Sequence, residues 1–103
     1  MASNMKRTVV SAMTIAGSDS GGGAGLQADL KSFAANGVYG TCAVTVITSQ
    51  NTFGVREVKE LPVDLIGSQI DAIMTDIGAN AIKTGMLSSS EIIVCVSDKI
   101  REY

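Results

Sequence analysis

The chain has 103 residues, 46% hydrophobic and 17% charged, enough for one small domain with a buried core and unlike a disordered tail. The net charge is −2, and the eight basic residues are scattered from Lys6 to Arg101, so no basic stripe exists to grip nucleic acid. With no histidine and no tryptophan, His-based acid–base or metal chemistry is excluded and the core must be aliphatic.

In chain order, "MASN" reads as a leader, and residues 1–7 are expected to be disordered, with the folded domain spanning 8–103. "TVVSAMTIA", Thr8 to Ala16, is a nearly continuous apolar run rich in β-branched residues. It predicts a strand buried on both faces, as in a parallel sheet. A glycine-rich loop follows. Leu26, Leu30 and Phe33 then mark one face of a helix from about Ala24 to Asn36, stopped by Gly37.

"TCAVTVITSQN" predicts a single second strand with Cys42, Val44, Val46, Thr48 and Gln50 on one side. "FGVREVKEL", 53–61, is more polar and predicts a short exposed strand or flap. Pro62 stands where a helix can begin, and Val63, Ile66, Ile70, Ile73 and Met74 give it one apolar stripe. "NAIK", 80–83, predicts a short third core strand closed by the turn "TGML". Ser88 and Glu91 have capping-box spacing, opening a helix expected to bury Ile93, Val96, Ile100 and Tyr103.

This order, β-α-β-(β)-α-β-α, favours an α/β layered fold with a mainly parallel sheet. No strand follows the last helix to receive its crossover, so the domain is expected to be incomplete at its C-terminal side. Cys42 and Cys95 form no CxxC pattern and read as reduced, buried hydrophobes of a cytoplasmic protein. No signal peptide or membrane-spanning run is visible.

The loop "AGSDSGGGAG", 16–25, is the strongest chemical signal. It fails both common nucleotide patterns. GxGxxG breaks at Leu26, and the phosphate loop GxxxxGK[ST] breaks because Gly23 stands where lysine is required. A tight turn and a loop where backbone closely approaches a ligand both remain open, although ligands of open α/β sheets do bind at the carboxyl ends of strands.

Asp29 falls about 60° from Leu26 on the helical wheel, which suits either a carboxylate at the sheet edge or a solvated one. Gln50, at a strand end, has the donor and acceptor that an aminopyrimidine edge needs, and equally suits an amide bonding nearby backbone. Met86 is either a soft apolar wall of a pocket or a core residue. Lys83 suits either a partner for an anionic group or, as the favoured reading, a strand-end lysine extending to solvent, and Asp19 and Ser20 read as turn formers bonding local amides.

"TIAGSDSGGGAGLQADLKSFAANGVYGT", "TSQNT" and "KTGML", in that order, resemble the N-terminal part of the hydroxymethylpyrimidine/phosphomethylpyrimidine kinases of thiamin biosynthesis, within the ribokinase-like superfamily. The resemblance covers nearly all of residues 8–103. It implies a three-layer α/β/α fold and γ-phosphoryl transfer from ATP, with Mg²⁺, to a pyrimidine in the cytoplasm. It also implies substrate-binding roles. Gly17 would be the loop glycine under the substrate, Asp29 the carboxylate near the hydroxymethyl group, Gln50 the carboxamide on the aminopyrimidine edge, and Met86 an apolar wall.

This chain departs from many such kinases at Thr48, where an apolar residue is common. The family's catalytic and ATP-phosphate residues lie later than these 103 positions. The resemblance therefore assigns no catalytic or metal-ligating residue here, and little or no activity is expected of this chain alone. A homo-oligomer is expected, with no nucleic-acid or membrane partner. Pyridoxal kinase of the same superfamily is the alternative, and a non-catalytic pyrimidine-binding module is another.

Overall fold

The computed structural model of the protein describes residues 9–103; the expected leader over 1–7 lies outside the described residues. Strand β1 (Ser11–Ala16) is buried along its whole length, as its unbroken apolar run requires. It lies at the centre of a parallel sheet, between β2 (Tyr39–Val44) and β5 (Ala81–Thr84). Register pairs Thr14 with Cys42 on one side and with Lys83 on the other. Residues paired in register point to the same face, so Thr14, Cys42 and Lys83 share one.

Helix α1 (Gly25–Ala35) covers that face, with Leu30 and Phe33 against Gly40. On the opposite face, Met13, Ile15 and Ala43 pack with Ile66 and Ile70 of α2 (Val63–Met74) and Ile92 and Val96 of α3 (Ser90–Glu102). Each such isoleucine contributes about 2 kcal/mol through burial. The result is the expected layering, helix on sheet on helices.

Two expectations change. The second strand is not continuous: β2 ends at Val44, and β3 (Val46–Asn51) leaves the sheet to pair antiparallel with β4 (Gly54–Glu60). The break is at Thr45, fully buried, whose N–H donates to Ala16 O at 3.0 Å and whose hydroxyl donates to Met86 O at 2.8 Å. Burial therefore switches sides, from Thr41, Ala43 and Thr45 to Val46 and Thr48. Cys42 and Val44 do not share a buried side with Val46. The β3–β4 ribbon stands out from the sheet, with every residue of β4 exposed, as the polar flap reading expects.

The last helix is capped one residue later than the sequence predicts. Ser89, not Ser88, accepts the Ile92 N–H, while the Ser88 hydroxyl donates to Glu60 at 2.6 Å. The helix buries Ile92 and Val96, leaving Ile93, Ile100 and Tyr103 exposed. Among the described residues no helix is long and apolar enough to cross a membrane. Both cysteines are free thiols, partly buried.

Candidate functional site

Helix α1 follows β1 onto one face of the sheet, and α3 follows β5 onto the other. Adjacent strands whose helices leave on opposite faces open a crevice at their carboxyl ends. A cleft of about 310 Å³ lies there, lined by Gly17 and Asp19 after β1, by Lys83, Gly85 and Met86 along and after β5, and by Gln50 of the ribbon.

The glycine loop owes its shape to Asp19. Its buried carboxylate accepts from the N–H groups of Gly21, Gly23 and Ala24 at 2.7, 3.0 and 2.8 Å. These are amides that a phosphate would need at the start of α1, and an internal anion already occupies them. Asp19 is thus the turn former that its sequence context suggests. Gly25 turns the chain into the helix at φ +60, and a Cβ there would lie 2.6 Å from Gly17 O. Only glycine meets both conditions.

Met86 is 48% exposed and is not a core residue. A Cβ added at Gly17 would lie 3.2 Å from its methyl carbon, so the two residues form one floor. Gln50 arrives from the ribbon with its backbone fixed. Ser20 Oγ donates to Gln50 O at 2.6 Å and accepts from Gln50 N at 2.7 Å. The register against β4 shifts between Ser49 and Gln50, which pair with Glu57 and Val55. Thr48, 4% exposed, ties the same stretch to the loop, its N–H donating to Ser18 Oγ at 3.1 Å and its hydroxyl to Ser18 O at 2.7 Å.

Asp29 stands one contact back from the cleft. Its carboxylate accepts the Thr14 hydroxyl at 2.6 Å and pairs with the Lys83 ammonium at 2.9 Å. Burial pushes the Asp29 carboxyl up, but the Thr14 hydroxyl and Lys83 together outweigh it and hold it below the ordinary carboxylate range.

Gly17, Gln50 and Met86 are therefore brought to one cleft, and Asp29 reaches it through Lys83. Lys83, half exposed, meets the Asp29 carboxylate rather than only extending to solvent, and Thr14 carried no expectation. Only the parallel register that sets both on the α1 face makes them neighbours. Ser18 and Gly25 were equally hidden inside the loop, although the glycine run marked their neighbourhood.

The arrangement offers an apolar floor, a carboxamide for the edge of a heterocycle, and a carboxylate–ammonium pair where a polar substituent could sit. It offers no cradle for ATP phosphates, because Asp19 fills the loop amides. Among the described residues no three His, Cys, Asp or Glu side chains gather to hold a metal. The described residues do not build an ATP–Mg²⁺ site.

The sequence matches the phosphomethylpyrimidine kinase family over residues 19–103. It is 49% identical to a hydroxymethylpyrimidine/phosphomethylpyrimidine kinase of Rhizobium meliloti over 89% of this chain and 35% of that protein. It is 54% identical to one of Mycobacterium tuberculosis over 82% of this chain and 31% of that protein. Among solved structures, phosphomethylpyrimidine kinase of Clostridium difficile 630 superposes with TM-score 0.89 at 50% identity, over 91% of this chain and 41% of that one. Pyridoxal kinase of Staphylococcus aureus, in complex with AMP-PCP and pyridoxal, gives 0.83 at 38% identity, over 93% and 36%. The chain spans about a third of the length of the curated relatives it matches. Its motifs, its ribokinase-like layering and the matched span agree: the chain belongs to the phosphomethylpyrimidine kinase family.

Proposed function

We propose that this chain supplies the pyrimidine-binding half of a kinase that transfers the γ-phosphoryl group of ATP to hydroxymethylpyrimidine and to its monophosphate in thiamin biosynthesis. The observation that carries this is the convergence of Gly17, Gln50 and Met86 on one cleft beside the Asp29–Lys83 pair. The heterocycle lies on the Gly17–Met86 floor, with its amino edge at Gln50 and its hydroxymethyl group toward Asp29. Phosphoryl transfer depends on charge stabilisation around the moving group. With the loop amides capped by Asp19, that task falls to groups other than these.

Calorimetric titration of the folded chain with hydroxymethylpyrimidine tests the proposal. Binding is expected, weakened about tenfold in Gln50→Ala, the usual effect of losing one good hydrogen bond. No ATP-dependent phosphorylation is expected from this chain alone. A folded chain that ignores the pyrimidine sinks the assignment. The likeness to pyridoxal kinases favours a second reading, with pyridoxine on the same floor. The identity to them is lower, 38% to 44% against 50% for the phosphomethylpyrimidine kinase structure, and stronger binding of pyridoxine in the same titration would support it.

A further inference from the structure

The Thr48 hydroxyl has two oxygens within reach and one hydrogen to give. Ser18 O is 2.7 Å away, and the end of the Gln50 carboxamide placed as Oε1 is 3.2 Å away. Ser18 O is a carbonyl that can only accept, and it is the nearer, so it takes the hydrogen. Toward Gln50 the hydroxyl then has only lone pairs. An amide oxygen facing them would meet oxygen without a proton between. Half a turn of the carboxamide, which leaves its outline unchanged, places Nε2–H there as a donor.

The other end of the amide is the one the ligand meets. Gln50 lines the cleft while Thr48, 4% exposed, lies behind it. The Gln50 backbone is held by Ser20 on both its N–H and C=O, so the side chain reads the cleft from a fixed base. We propose that Thr48 is a specificity-determining positioning residue. It holds the Gln50 carboxamide with nitrogen inward and carbonyl oxygen toward the cleft, selecting heterocycles that present an N–H donor at that edge. The selection of ligand rests on the pyrimidine-binding assignment made above; the orientation of the amide does not.

Two measurements on the full chain test it. In nitrogen-edited NOESY spectra, the Gln50 side-chain amide protons, identified by their loss in Gln50→Ala, should show contacts to the Thr48 β-proton and methyl group. Contacts to the Met86 methyl with none to Thr48 would overturn the orientation. Calorimetry then compares 4-amino-5-hydroxymethyl-2-methylpyrimidine with its 4-methoxy analogue, which offers only an acceptor at that edge. The parent chain should favour the amino compound by about tenfold or more, the scale of one hydrogen bond made or left unpaired.

Thr48→Val should bring that ratio close to unity, and Thr48→Ser, which keeps the hydroxyl, should restore it. An unchanged ratio in Thr48→Val overturns the proposal, because a merely structural threonine would lower both affinities alike. If neither pyrimidine binds a folded chain, the ligand assignment fails, and with it the proposed selection. The NOESY contacts still decide the orientation by themselves.

Discussion

Two aspartate–lysine pairs stand in this chain at the same 2.9 Å separation, Lys83 with Asp29 and Lys99 with Asp71. Their surroundings differ. Asp29 is 17% exposed, wedged between a helix and the strand that supplies the Thr14 hydroxyl, at the edge of a cleft. Asp71 is 40% exposed, at the surface where α2 meets α3, and accepts the Tyr103 hydroxyl at 2.7 Å. Lys99 is the first cause holding the Asp71 carboxyl below its ordinary range, with Tyr103 second. In an exposed pair, water competes for both partners and the attraction is screened. What separates the pairs is how much solvent the carboxylate gives up and what else shares it; the lysines run the other way, with Lys83 49% exposed and Lys99 25%.

The sharpest break in this contrast comes from the loop that frames the cleft. Gly25→Ala adds a Cβ 2.6 Å from Gly17 O at a backbone φ of +60. Combined clash and strain should cost about 3 kcal/mol, read as a lower denaturation midpoint. The Asp71–Lys99 contacts, remote from the loop, should keep their side-chain NMR shifts below the transition.

Asp29→Asn tests the pair at the cleft and should cost about 1 kcal/mol at neutral pH, since Lys83 can turn to water while Thr14 keeps an acceptor. The sign with pH follows from the depressed carboxyl. The contribution of Asp29 is complete above its unfolded pKa of about 4 and is lost as pH falls through the lower folded value. Parent and Asp29→Asn denaturation curves should therefore converge as pH falls below that unfolded value. A gap that persists in acid would show that packing, not charge, distinguishes the position.

The smallest effect belongs to Asp71→Asn, whose melting temperature should match the parent within error. Its readout is instead Tyr103, whose phenol is raised chiefly by its hydrogen bond to Asp71. In a Tyr39→Phe background, ultraviolet titration should find that phenol ionising at lower pH once the carboxylate is removed.

Most of the architecture was legible because it rests on local signals. The apolar run of β1, the 3–4 spacing of α2 and the glycines after β1, α1, α2 and β5 place the layers without knowledge of any partner. The break at Thr45 was not legible. No glycine or proline interrupts the run from Thr41 to Gln50, and what bends the chain is a pair of distant acceptors, Ala16 O and Met86 O. The error in α3 has a similar source. Ile92 with Val96, and Ile93 with Val96 and Ile100, are both valid helical stripes, and packing against α2 chooses between them. At the site, Gly17, Gln50 and Met86 came from motifs carried by the resemblance. Lys83 and Thr14 needed the register of β1 against β5, which no spacing within either strand encodes.

The stitch between Ser20 and Gln50 has a mechanical consequence. The ribbon behaves as a beam clamped along part of its length. It is anchored at Thr45 and Val46, where Leu61 N donates to Thr45 O at 3.0 Å and Ser18 N to Val46 O at 2.8 Å, and held again at Gln50. Only the turn beyond, where Phe53 is 95% exposed, overhangs. Because deflection grows steeply with free length, thermal bending collects at that tip, beyond the Gln50–Val55 pair. Gln50, on the clamped side, stays at a constant height above Gly17.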